Sequence, residues 1–89
     1  MKEDSGLKPI RDRIDEVDRD IVDALSRRMK LVEEIGEYKK IHNLHVTDAK
    51  RNGEILTTRP EWGRSRGLIG NFVREIFERI LKYSKELQK

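Results

Sequence analysis

The chain has 89 residues, of which 42% are charged, a net charge of +3 at pH 7, and no cysteine. These values exclude a disulfide-stabilised fold and a thiolate metal site, and they are typical of a cytoplasmic protein. No apolar run approaches the ~18 residues that a transmembrane helix needs. We therefore expect one small all-α domain over residues 1–89, located in the cytoplasm and without membrane contact.

The first predicted helix begins near Pro9 and runs to about Ile41. Proline suits a first helical turn, where its missing N–H needs no partner. A helix of this length extends about 50 Å, and the rest of the chain is too short to cover it. We therefore expect an intertwined homodimer. The apolar stripe that needs this cover has the 3–4 spacing of an amphipathic helix and comprises Ile10, Ile14, Val17, Ile21, Ala24, Leu31, Ile35 and Tyr38.

Two shorter helices are predicted after a connection over residues 42–48. Thr47 or Asp48 is the expected N-cap of the second helix. This helix is expected to end at about Arg59, because a proline follows and cannot continue the hydrogen-bond ladder. Residues 60–67 are then predicted to form a polar loop. An apolar stripe at helical spacing predicts the third helix over residues 68–87.

The dipeptide Asn52-Gly53 falls inside the second predicted helix, although Asn-Gly is the strongest short signal for a β-hairpin. No alternating apolar pattern flanks it, so the hairpin interpretation fails. Within a helix, Gly53 costs about 1 kcal/mol relative to alanine. Asp48, Arg51 and Asn52 then lie within one turn and can present three polar groups to one pocket.

Arg28 interrupts the apolar row of the first helix, and Lys39 continues that row. An arginine in such a row must find an anion or carry a costly unpaired charge. It either binds a ligand together with Lys39, reaches solvent, or pairs with an acid of another helix. Arg11 precedes Arg28 by about 25 Å of helix, so the two can meet at one small ligand only across an antiparallel dimer. Alternatively, Arg11 forms a surface pair with Asp15.

Ser84 and Gln88 extend the apolar row of the third helix and lie one turn apart. They form either a satisfied helix end or the polar wall of a pocket. Arg51 shows a similar ambiguity, since it either pairs with Asp48 within the second helix or lines the same pocket. Spacing alone leaves both alternatives open.

Other chemistry has little support in the sequence. His42 and His45 lack acidic or thiol partners at metal-ligand spacing, so we expect no metal. Three arginines lie around Trp62 and raise the question of a nucleic-acid contact: Arg59, Arg64 and Arg66. The favoured interpretation is a solvated loop with Trp62 folded onto a neighbour, so we expect no nucleic-acid partner.

The chain resembles the all-helical, AroQ-type chorismate mutases in two stretches, "IRDRIDEVDRDIVDALSRRMKLVEEIGEYKK" (residues 10–40) and "VTDAKR" (residues 46–51). The first contains R-x-x-I-D-x-x-D-x-x-I-x-x-x-L-x-x-R, which resembles the usual N-terminal helix of this family, and the family's IGxxK stretch. The resemblance extends from about Leu7 to Gln88. It implies a three-helix protomer in a homodimer with two active sites. The enzyme would convert chorismate to prephenate in Phe/Tyr biosynthesis, without a metal or cofactor.

The resemblance also assigns roles by position. Arg28 would bind one substrate carboxylate together with Arg11 of a second copy, and Arg51 and Ser84 would help to hold the carboxylates. A rearrangement within one molecule needs no nucleophile and no acid or base. An enzyme accelerates it by holding the compact conformer and by placing hydrogen-bond donors where negative charge develops.

Lys39 and Gln88 would face the ether oxygen of the breaking bond, and the resemblance makes them catalytic together with Arg28. Asp48 and Asn52 would contact the ring hydroxyl. Asn52 departs from the family, which typically has glutamate there, so we expect mutase activity with an altered hydroxyl contact. The alternatives are lyase chemistry on isochorismate, which releases pyruvate, and a helical dimer that binds a partner without catalysis.

Overall fold

A computed structural model describes residues 5–89 of the chain. It contains three helices, α1 over Leu7–Ile41, α2 over Ala49–Arg64 and α3 over Gly70–Leu87, and residues 5–89 contain no strand. The all-α class and the three-helix order are thus confirmed. The predicted domain starts at residue 1, and residues 1–4 lie outside the described part. Within that part, every helix is too short or too polar to span a membrane.

The chain divides into two units at Leu31. In the first unit, α1 exposes the side chains of its predicted apolar stripe; Ile14 is 52% exposed and Ile21 is 53% exposed. The second unit comprises Val32–Lys89, in which α2 packs against α3. Its buried apolar side chains include Val32, Ile55 and Val73, one from each helix.

The end of α1 and the start of α2 lie where the sequence predicts them. Asn43 adopts a positive φ of 55°, which asparagine tolerates better than most residues, and the N–H of Leu44 donates to the Lys39 carbonyl at 2.8 Å. This arrangement terminates α1 and starts the connection that the sequence predicts. Asp48 is the N-cap of α2, because its Oδ1 accepts the backbone N–H of Arg51 at 3.0 Å.

The predicted end of α2 before Pro60 is wrong, since the helix continues through Arg64 with Pro60 buried inside it. Proline removes the N–H that would normally bond to the Leu56 carbonyl. Arg74 of α3 lies at that carbonyl instead, with Nη1 at 3.5 Å from the oxygen. The connection between α2 and α3 is therefore shorter than the predicted loop, and α3 begins two residues later than predicted, at Gly70.

Gly67, rather than Pro60, turns the chain after α2. Its φ is +83°, a left-handed conformation that glycine adopts without a steric cost. The N–H of Leu68 donates to the Gly63 carbonyl at 2.9 Å, and that of Gly67 donates to the Arg64 carbonyl at 3.2 Å. This pair of bonds is a Schellman motif, a common helix terminator.

Two glycines of α2 provide a matched test of this packing. A Cβ at Gly53 would meet no atom within 4 Å, so Gly53→Ala is expected to raise the free energy of unfolding by about 1 kcal/mol. A Cβ at Gly63 would lie 2.5 Å from Val73 Cγ2, so Gly63→Ala is expected to lower it by about 1–3 kcal/mol. Urea unfolding followed by circular dichroism measures both changes. A stabilising Gly63→Ala would contradict the close packing of α2 on α3.

Candidate functional site

Lys39, in the last turn of α1, lies at the centre of a polar cluster in the second unit. Its ammonium donates to Gln88 Oε1 at 2.7 Å and to the Val46 carbonyl at 2.7 Å. Gln88 follows the C-terminal end of α3, and Val46 belongs to the connection before α2. All three residues are half-buried, so the two hydrogen bonds join three segments of the chain where access of water is restricted.

The side chain of Gln88 is fixed by its neighbours on α1 and α3. A Cβ at Gly36 would lie 3.3 Å from Gln88 Cα, so glycine permits the close approach of α1 to the end of α3. Gln88 Nε2 donates to the Ser84 carbonyl at 3.3 Å. Ser84 is buried, and its hydroxyl donates to the Ile80 carbonyl at 2.7 Å. Ser84 and Gln88 thus form a hydrogen-bonded helix end that Lys39 joins, and their role as the wall of a pocket stays a prediction.

Asp48, Arg51 and Asn52 lie together at the start of α2, as the sequence predicts. Asp48 accepts two backbone N–H groups: Oδ1 accepts that of Arg51, and its carbonyl accepts that of Asn52, each at 3.0 Å. The Arg51 guanidinium lies instead near Glu54, with Nη1 3.5 Å from Oε2. A capping hydrogen bond thus takes the place of the side-chain pair between Asp48 and Arg51. Asn52 is half-buried.

The antiparallel packing of α2 and α3 determines where these side chains lie along the helix pair. Gly63 lies against Val73 near the turn, and Arg59 lies against Phe77 one turn further away on both helices. Continued away from the turn, the same register brings the first turns of α2 level with the last turns of α3. The polar residues of these two helix ends therefore lie at the end of the second unit that also carries Lys39.

Arg11 and Arg28 lie on α1 before Val32, within the first unit. Arg11 is exposed and Arg28 is half-buried, as expected for an arginine that interrupts an apolar row. A joint role of these arginines with Lys39 stays a prediction.

Arg59 is a residue whose position the sequence did not indicate. Its Cζ lies 4.3 Å from the centre of the Trp62 ring and 5.9 Å from that of Phe77, and Nη1 donates to Thr58 Oγ1 at 3.0 Å. Burial, and then the nearby Arg51 charge, lower the pKa of Arg59. The sequence predicts Arg59 beside a solvated loop, whereas it is half-buried on α2. Its spacing of seven residues from Asn52 would have placed it on the inner face of the helix.

An open groove of about 360 Å³ lies on another part of the second unit, between α2 and α3. Pro60, Arg64 and Arg74 are among its lining residues, and none of the site residues predicted from the sequence lines it. Over residues 5–89, no group of three or more histidine, cysteine or acidic side chains is placed to hold a metal ion. Within the described part of the chain, predicted site residues therefore meet in the polar cluster around Lys39.

The chain is similar to known proteins over most of its length. Residues 10–89 match the family chorismate mutase type II. A T-protein from Enterobacter agglomerans is 30% identical over 78 residues, which cover 88% of this chain and 21% of that protein. An isochorismate pyruvate lyase from Pseudomonas aeruginosa is 34% identical over 79 residues, which cover 89% of this chain and 77% of that protein.

A solved structure, that of a conserved hypothetical protein from Pyrococcus furiosus, has the same fold. It matches with a TM-score of 0.80 and 36% identity, over 98% of this chain and 100% of that one. The chain spans about a fifth of the length of the T-protein that it matches. The family match includes every predicted site residue, from Arg11 to Gln88. The chain belongs to the chorismate mutase type II family.

Proposed function

We propose that this chain catalyses the rearrangement of chorismate to prephenate. The observation that carries the proposal is the Lys39 cluster, in which an ammonium and an amide meet in a half-buried position. An ammonium has three N–H donors. Two of them go to Gln88 and Val46, and the third is available to an oxygen of a bound substrate. The family membership supports the same reaction.

The rearrangement requires little more from the protein than hydrogen-bond donors held in fixed positions. As the ether bond of chorismate breaks, negative charge develops on its oxygen, and a fixed ammonium stabilises that charge without reorganising in the transition state. The Gln88 amide would turn its Nε2 from the Ser84 carbonyl, to which its bond is long, toward the same oxygen. Arg28 and Arg51 would hold the two carboxylates, for which the guanidinium fork is well suited.

The site also needs Arg11 from a second copy of the chain. The exposed stripe on the first unit supports a homodimer, because its apolar side chains recur on one face and are about half exposed. Val17, for example, is 56% exposed. Large apolar faces of this kind are normally covered by a partner. A second α1 is the expected cover, and it would carry Arg11 toward the site of the first copy.

Loss of chorismate absorbance on addition of the purified protein tests the proposal directly. We expect catalysed loss with prephenate as the product, and no acceleration at high protein concentration would overturn the mutase assignment. The 34% identity to an isochorismate pyruvate lyase makes lyase activity the second candidate. Supplying isochorismate and assaying pyruvate separates the two, since only the lyase releases it. Salt-sensitive nucleic-acid binding without any turnover would favour a non-catalytic role.

Asn52 gives a further prediction, because it stands where the family typically has glutamate. Asn52→Glu is expected to raise kcat/KM for chorismate about five- to tenfold, since a hydrogen bond from the ring hydroxyl to a carboxylate is stronger than one to an amide. Asn52→Gln is the matched control, with the length of glutamate but no charge. Equal rates for the two variants would refute the proposed contact of residue 52 with the hydroxyl.

A further inference from the structure

We propose that Arg59 sets the charge preference of the site, favouring a substrate with a neutral ring hydroxyl over one with a ring ammonium. This inference rests on the proposed function, because it assumes that the ring substituent faces the start of α2. Arg59 is not among the site residues that the sequence predicts. Three features of the second unit support it: the placement of Arg59, its lack of an acidic partner, and the neutral side chain at position 52.

The Arg59 guanidinium is held in place by aromatic rings rather than by a carboxylate. It lies over Trp62, with Cζ 4.3 Å from the ring centre, and Phe77 approaches from α3 at 5.9 Å. Its hydrogen bond goes to the neutral Thr58 hydroxyl. Among residues 5–89, Arg59 forms no ion pair with an acid. The charge is therefore fixed in position and not neutralised by a contact within this part of the chain.

Arg59 lies on the face of α2 that also carries Asn52, because residues seven apart share one face of a helix. Helical side chains generally lean toward the N-terminus, so we expect the Arg59 charge to act on the turns that precede it. Both residues are half-buried. Burial lowers the pKa of Arg59, and the charge of Arg51 lowers it further.

No acid of the described chain contacts the Arg59 guanidinium, unlike that of Arg51. Glu54 Oε2 lies 3.5 Å from Arg51 Nη1 and offsets the charge of Arg51, and the Asp48 carboxylate keeps its own charge while it caps the helix. Asn52 contributes no charge, where a glutamate would have balanced one arginine. The charge of Arg59, which no acid contacts, tolerates a hydroxyl and repels an ammonium. The substrate class is thus a dianion with an uncharged ring substituent.

The test compares two substrates, chorismate and its analogue with an amino group in place of the ring hydroxyl. For the wild type, kcat/KM is expected to favour chorismate. Arg59→Met keeps the contact with Trp62 but removes the charge, and we expect it to reduce that preference about three- to tenfold, mainly through KM. Arg59→Lys should retain the preference. Arg79→Met, which removes a charge from an exposed position on α3, is the matched control and should leave the ratio unchanged.

The ratio separates a charge effect from a structural one. Loss of packing would lower the rates for both substrates together, and Trp62 fluorescence during thermal unfolding would report it. The proposal is overturned if Arg59→Met leaves the ratio unchanged, if Arg59→Lys behaves like Arg59→Met, or if Arg79→Met shifts the ratio equally. Should the wild type turn over neither compound, the proposed function fails. Calorimetric affinities for the two compounds then decide the role of Arg59 by the same ratio.

Discussion

A Lys39→Met variant is expected to show a kcat for chorismate about 10²- to 10³-fold below that of the wild type. This is the usual loss when one preorganised donor to a developing oxyanion is removed. Methionine fills similar space but has no N–H, so the ether oxygen would lose its charged partner. Because the ground-state ether carries little charge, KM should change much less than kcat. Steady-state assays on chorismate provide both constants.

Lys40→Met is the matched control, since Lys40 is the next residue of the same helical turn and is exposed. It should retain wild-type rates within about twofold, because surface substitutions of this kind have small effects. Lys39→Met also removes the hydrogen bond to the Val46 carbonyl, which is expected to cost about 1–2 kcal/mol of stability. Thermal unfolding therefore accompanies the assay, which is run well below both melting temperatures. A folded Lys39→Met variant with near-wild-type kcat would contradict the role proposed for Lys39.

The double variant Ile14→Glu/Ile21→Glu is expected to be monomeric and to lose at least ~10²-fold in kcat/KM. Both side chains lie on the exposed apolar stripe of the first unit, about two turns apart. Carboxylates buried in a helix–helix interface without partners carry a large desolvation cost, so association would fail. A monomer would then lack the Arg11 of a second copy, and the substrate would lose one of its carboxylate ligands.

Arg19→Glu/Ser26→Glu is the control for this experiment, because it places two carboxylates at the same seven-residue spacing on the opposite face of α1. It should remain dimeric and active. Light scattering with size-exclusion chromatography gives the oligomeric state, and the chorismate assay gives the activity. A wild-type monomer, or a monomeric double variant with full activity, would contradict the proposed contribution of Arg11.

Features that depend on a few neighbouring residues could be read from the sequence. The cap at Asp48 is one, because it involves only the side chain of Asp48 and an N–H three residues later. The position of Asn52-Gly53 inside a helix is another, since the apolar spacing on either side has the helical period. The three helices and their order follow from the same periodicity.

Features that depend on distant residues could not be read in this way. Whether Pro60 ends α2 depends on the carbonyl that it leaves without its usual partner, and Arg74, far along the chain on α3, lies beside that carbonyl. The position of Arg59 depends likewise on Phe77 across the helix pair. Local propensity predicts a break at Pro60, and tertiary packing overrides it.

By itself, the sequence determined the helical class, the start of α2 and the residue types that chorismate chemistry would require. These are properties of helical period, capping and side-chain chemistry, which act over one or two turns. The tertiary structure decided which of those residues meet. Lys39 reaches Val46, seven residues away, and Gln88, 49 residues away. Such contacts form because packing brings three helix ends together, and no local pattern encodes the distance between them.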